Sequence, residues 1–160
     1  MSQFCVVSIV AALVLWLPAC AADRELIGTA SVVDGDTLEI RGQRIRLYGV
    51  DAPESRQQCQ RSDGSAWRCG NRAANALSQW LGSATVHCTL QEQDRYGRWL
   101  ASCSRGGQDI GGWLVRSGWA LAYRRYSEDY VDDEKAAKKA KAGIHEGHFQ
   151  PPWDYRRSSR

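Results

Sequence analysis

No repeat and no low-complexity segment runs through these 160 residues. That excludes solenoids and biased linkers and leaves one domain by size. No Cys-x-x-Cys pair occurs, and the three histidines (His87, His145, His148) lack ligand spacing relative to the cysteines. A zinc site therefore has no support. Charge of one sign is not in large excess either. A net +3 is mildly basic, compatible with a polyanionic partner but no proof of one. The apolar share of 43% is enough for an ordinary core.

Charge is missing altogether from Met1 to Ala22. Within that stretch only Ser8 interrupts the apolar run from Phe4 to Leu17, and Pro18 and small residues follow. With Ala19-Cys20-Ala21 as an A-x-A site, this predicts a secretory signal peptide, although its first residues carry no Lys or Arg. Two other readings stay open. Leu17-Pro18-Ala19-Cys20 resembles a lipoprotein processing site that leaves a lipidated Cys20, and the apolar stretch can also stay uncut as a membrane anchor. Each places the remainder outside the cytoplasm, periplasmic or secreted. The expected organisation is a targeting segment over 1–22, one domain over 23–148 and a basic tail over 149–160.

What the sequence does have is one stretch dense in chemistry, from Val33-Asp34-Gly35-Asp36-Thr37 to Pro53-Glu54. Thr37 to Ile40 and Arg44 to Tyr48 alternate polar and apolar residues, and Arg41-Gly42 is a turn signal, so a hairpin is predicted. Asp36 stands at its entrance, Arg46 on the returning strand, and Asp51 and Glu54 just beyond. Arg44 shares the face of Arg46 and reads as a surface ion-pair residue. Asp94-Arg95-Tyr96-Gly97-Arg98 adds a second arginine downstream. Paired Asp carboxylates suit a hard divalent cation. Paired arginines suit a phosphate, gripped through forked donors. A further Glu suits the activation of water. Together they point to phosphodiester hydrolysis.

Three motifs, Val33 to Thr37, Ile45 to Glu54 and Asp94 to Arg98, in this order and spacing, resemble the staphylococcal nuclease (thermonuclease) family. The likeness runs from about Gly28 to His145. It implies an α+β fold, an OB-type five-stranded barrel with about three helices. It implies Ca2+ held by Asp36, Asp51 and the backbone carbonyl of Ala52. It implies Glu54 as general base or water-orienting carboxylate, with Arg46 and Arg98 on the phosphate. Arg95, Tyr96 and Tyr123 match nucleotide-contacting positions, Arg95 standing in place of a Lys. The implied activity is hydrolysis of DNA and RNA with little sequence preference, single strands favoured, by a monomer with no stable protein partner. The alternatives are a nucleic-acid-binding module that has lost catalysis and a non-enzymatic envelope protein. Retention of Asp36, Arg46, Asp51, Glu54 and Arg98 together argues against both. His145 departs from the family's usual Trp, which bears on stability.

Four cysteines (Cys59, Cys69, Cys88, Cys103) remain beyond the targeting segment, an even set suited to an oxidising compartment. A turn centred on Arg95-Tyr96 sets Cys88 opposite Cys103, which leaves Cys59 to pair with Cys69 across the loop after the site. Elsewhere, Leu26 to Val33 reads as the first strand and Gln57 to Arg68 as a polar surface loop whose Trp67 packs. Helices are predicted over Asn71–Leu81 (stopped by Gly82), Ile110–Ser117 and Ser127–Ala142. Strands are predicted over Ala84–Gln91, Trp99–Ser104 and Trp119–Tyr123. In the last helix Ser127 is the expected N-cap and Gly143 the C-cap, with acidic residues early and lysines late. Beyond His148 the tail is expected to be loosely ordered, its arginines (Arg156, Arg157, Arg160) adding attraction for phosphate.

Overall fold

A computed structural model describes residues 24–159. The signal segment and the choice among its three readings lie outside these residues, as does Arg160. The first strand breaks at Ala30 into β1 (Arg24–Thr29) and β2 (Ser31–Asp34). The hairpin follows as β3 (Thr37–Ile40) and β4 (Gln43–Leu47), and then the short β5 (Val50–Asp51). The expected surface loop contains a small hairpin of its own, β6 (Cys59–Gln60) with β7 (Ala66–Trp67). Next come α1 (Cys69–Leu81), β8 (Thr85–Gln93), β9 (Trp99–Arg105), β10 (Gln108–Asp109), α2 (Ile110–Arg116) and β11 (Leu121–Ala122). The chain closes with α3 (Val131–Ala140), a 3-10 turn over Gly143–Glu146 and α4 (Pro152–Ser158).

The sheet order is β1-β8-β9-β4-β3-β2. Because β1 and β2 are consecutive halves of one stretch, this path returns to its start as a five-stranded circuit. Its β4–β9 pairing is parallel and the others are antiparallel. This is the OB-type α+β architecture, with closure leaving few free edges. Inward residues of the strands (Leu38, Ile40, Ile45, Leu47, Val86) meet Leu77 and Leu81 of α1 and Leu114 of α2 in one core. Leu77 and Leu81 lie four apart, so α1 lays one stripe on the barrel. Gly82, at φ 53°, ends it as expected. Arg41 and Gly42 both take positive φ, 51° and 75°, which makes the β3–β4 connection the tight type the sequence signalled.

Both disulfides form as predicted, Cys59–Cys69 and Cys88–Cys103. The second rests on a register that the tip of the hairpin does not follow. Asp94 N–H donates to the Arg98 carbonyl and Gly97 N–H to the Asp94 carbonyl, so three residues, not two, make the turn. A bulge between Leu90 and Gln93 takes up the extra residue and returns Cys88 opposite Cys103.

Two expectations need correction. The tail is not loose: His148 pairs with Gln60, and α4 follows with Pro152 in its first turn. Among the described residues there are four α-helices, the short α4 joining the three that the sequence marks. The last long helix begins at Val131, not Ser127. The Ser127 hydroxyl accepts from Asp129 N–H in a local turn, and Lys141, at φ 50°, ends the helix before Gly143. Among the described residues no helix is long and apolar enough to cross a membrane.

Candidate active site

The β3–β4 hairpin sets the site's geometry. Thr37 pairs with Arg46 across it, so the guanidinium on β4 returns to the carboxylate preceding β3. One nitrogen, Arg46 Nη2, lies 3.0 Å from Asp36 Oδ2 and 2.7 Å from Asp51 Oδ1. The two carboxylates therefore converge on one point. Both are buried. Asp36 Oδ2 also accepts the Ala52 N–H at 3.0 Å, and Asp36 Oδ1 accepts the Thr37 hydroxyl. Burial pushes the Asp36 carboxyl up to about 7, with Arg46 pulling it back and Asp34 and Asp51 adding to the rise. Burial works against the Arg46 charge too, but Asp36 and Asp51 outweigh it and raise its pKa.

Glu54 is placed by a clamp. Its N–H donates to Gln57 Oε1 at 3.1 Å and its carbonyl accepts Gln57 N–H at 2.7 Å. Gln57 is fully buried, against the expectation of a polar surface loop. Its remaining amide hydrogens reach the Gln150 carbonyl at 2.6 Å, which ties this loop to the tail. The Cys59–Cys69 bond fixes the same loop to the start of α1.

Arg98 is held by Asp94. Its Nε and Nη2 sit 2.8 and 2.7 Å from Asp94 Oδ2, while Asp94 Oδ1 accepts the backbone N–H groups of Tyr96 and Arg98. One carboxylate thus shapes the turn and aims the arginine. The Arg95 and Arg98 guanidiniums lie over the Tyr96 ring at 5.4 and 5.5 Å.

A cleft of about 680 Å³ gathers Arg46, Glu54, Arg95, Tyr96, Arg98 and Tyr123, six of the residues singled out in the sequence. Asp36 and Asp51 do not line it; they lie buried beneath, in contact with Arg46. Arg44 lines it too and sits 3.9 Å from Glu39, a surface ion pair as expected. The cysteines, by contrast, brace the structure and are not in the cleft.

Sequence reading missed the position of one residue. Arg156, on α4, donates Nη2 to Asp51 Oδ2 at 2.7 Å and Nη1 to Asp51 Oδ1 at 2.9 Å and Glu54 Oε1 at 2.7 Å. Hydrogen bonding to Asp51 raises its pKa further. Arg157, its neighbour, pairs instead with Asp154. Pro151-Pro152 followed by aromatic Trp153 and Tyr155 was the local signal for a helix here, since Pro favours the first helical turn.

The oxygen donors at this place suit a Ca2+ ion. Two convergent carboxylates, Asp36 and Asp51, adjoin the Ala52 backbone and meet on one nitrogen of Arg46. Among the described residues no three His, Cys, Asp or Glu side chains gather as ligands, so a bound cation relies on the two Asp and backbone oxygen. The set fits a hard cation that takes oxygen ligands.

Fold and cleft together define an OB-barrel protein with an arginine-lined, anion-accepting site over buried carboxylates. Residues 44–146 match the family described as staphylococcal nuclease homologue. The chain belongs to that family. It is 41% identical over 140 residues to "Succinoglycan biosynthesis protein ExoI" of Rhizobium meliloti (strain 1021), covering 86% of this chain and 73% of that protein. It is 32% identical over 166 residues to "Micrococcal nuclease" of Shigella flexneri, covering 92% and 88%. It is also 32% identical over 133 residues to an "Uncharacterized endonuclease" of Escherichia coli O157:H7, covering 78% and 80%.

Proposed function

We propose that this protein is an exported, calcium-dependent nuclease that hydrolyses phosphodiester bonds of DNA and RNA with little sequence preference. The observation that carries the reading is the convergence of Arg46, Glu54 and Arg98 in one cleft directly above Asp36 and Asp51. Relatives named as nuclease and endonuclease support it. The disulfides and the apolar N-terminal segment support export, with the mature domain from Asp23.

Asp36, Asp51 and the Ala52 carbonyl would hold the calcium ion. When bound, calcium offsets phosphate charge and eases the approach of water. Glu54 takes a proton from the attacking water. Arg46 and Arg98 hold the phosphate and stabilise the charge that grows on its equatorial oxygens, more strongly in the transition state than before it. The new P–O bond forms from water and the bond to the 5′ oxygen breaks, leaving a 3′ phosphate and a 5′ hydroxyl protonated by solvent. Arg95, Tyr96 and Tyr123 receive the nucleotide, through charge and ring stacking. An extended single strand suits such a groove better than a duplex. The enzyme acts as a monomer.

The test is cleavage of single-stranded DNA by the oxidised mature domain, with calcium and with chelator, beside Glu54→Gln. Calcium-dependent cleavage that falls about 10²–10⁴-fold in the variant is expected for loss of a general base. A folded wild type that binds DNA and cleaves nothing would favour the binding-only alternative. Cleavage untouched by Glu54→Gln would remove Glu54 from the mechanism.

A further inference from the structure

Asp51 is claimed twice. Its carboxylate offers about four lone-pair positions, and three of them are already taken, one by Arg46 and two by Arg156. The same Arg156 takes Glu54 Oε1. In the calcium reading above, on which this inference rests, Asp51 is a metal ligand and Glu54 must face water. Both roles compete with the present grip of Arg156, which holds both Asp51 oxygens and one of the two Glu54 oxygens. A second positive charge beside this guanidinium adds repulsion to the competition for oxygens.

The element carrying Arg156 is built to let go. The tail is pinned upstream by the Gln60–His148 backbone pair, at 2.8 and 2.9 Å, and by the bond from Gln57 to the Gln150 carbonyl. Beyond Gln150, α4 has seven residues. A helix that short is not stable alone in water, so docking holds it. Its docking contacts are buried Pro152, Trp153 packed on the Cys59, Cys69, Leu121 and Ile144 cluster with its ring 5.7 Å from that of Tyr123, and Arg156. Gln150 is therefore the natural pivot.

We propose that α4 is a cation-responsive strap. Arg156 is the resident counter-ion of Asp51 and Glu54 while calcium is absent. Calcium binding expels it, frees Glu54 for water and loosens α4 from the cleft. The protein without metal thus keeps its buried carboxylate neutralised and one oxygen of its base engaged.

Calorimetry of calcium binding to the oxidised domain, wild type, Arg156→Gln and Arg157→Gln, tests this together with amide hydrogen exchange over 152–158. Arg157 controls for net charge, since among the described residues its ion-pair partner is Asp154 and not a site carboxylate. The expected result is roughly tenfold tighter calcium binding in Arg156→Gln, as a typical coupling between competing occupants. Arg157→Gln should stay near wild type, and calcium should speed exchange over 152–158 in the wild type. Binding by the variant alone supports the strap equally. Equal affinities in all three, with unchanged exchange, overturn the strap and leave the calcium reading standing. No calcium binding by any of them overturns both.

Discussion

Gly70 sits where the second residue of α1 meets the backbone carrying Glu54. A Cβ built there falls 1.8 Å from the Glu54 carbonyl oxygen and 2.9 Å from that of Pro53. Real Cβ contacts essentially never fall below 3.0 Å, so Gly70→Ala forces a separation of about 1.2 Å. Little can absorb it. The Glu54 carbonyl is bonded to Gln57 N–H at 2.7 Å, and α1 is anchored by Cys69. The displacement falls on Glu54, and a shift of about 1 Å in a catalytic group costs about 10²-fold in rate. Overpacking adds a stability loss of about 1–3 kcal/mol. Gly42→Ala is the control. At φ 75° with nothing within 4 Å, it costs about 1–2 kcal/mol through backbone strain and touches no site residue. Initial rates of single-strand cleavage and thermal melts should therefore separate the two. Both variants melt early, but only Gly70→Ala loses kcat/KM at a temperature where both are folded. Equal kcat/KM for Gly70→Ala and wild type would refute the coupling of α1 to Glu54.

Asp94→Ala should cost about tenfold in kcat/KM, by releasing Arg98 and unshaping the turn. Asp94→Asn, which keeps the turn's acceptor, should fall between it and wild type in the same rate assay. Opening the ten-residue Cys59–Cys69 closure with a Cys59→Ser, Cys69→Ser pair should cost about 2.5–3 kcal/mol in denaturant titration, from chain entropy. An unchanged substrate profile in that pair would show that the disulfide braces the loop without setting access to the cleft. His145 has its pKa lowered, by burial first and then by Lys138. Its neutral form is thus the one the fold prefers. That stability is present above the unfolded value of 6.5 and is lost as pH falls through the lower folded value. Between pH 7 and 5 the melting temperature of the wild type should therefore fall relative to that of His145→Phe, which retains an aromatic partner for Phe149.

The parts of the site carried by local pattern were legible. Alternation and Arg41-Gly42 suffice for the β3–β4 hairpin, and that hairpin alone brings Asp36 to Arg46. The Cys88–Cys103 pairing was legible too, although a three-residue turn and a compensating bulge lay behind the assumed register. Neither leaves a periodic trace, because a bulge is one inserted residue. The start of the last helix was misread because Ser127 and the acids after it suit a helix N-terminus as well as the turn they form. Buried Gln57 was hidden for a different reason. Polar residues read as exposed, and only tertiary partners for its amide make burial tolerable. Arg156 was the hardest. A seven-residue helix is too short for periodicity, and the contact that gives it meaning lies far away in sequence.

Asp51 and Arg156 stand 105 positions apart. A chain made from its N-terminus presents its acids long before the base that balances them, and its barrel strands are complete by Arg105. Proteolytic trimming after Gln150 therefore leaves the sheet intact and the cleft altered. A preparation containing both lengths would hold two electrostatic species behind one spectroscopic fold. Mass measurement of the C-terminus belongs before any titration of the site.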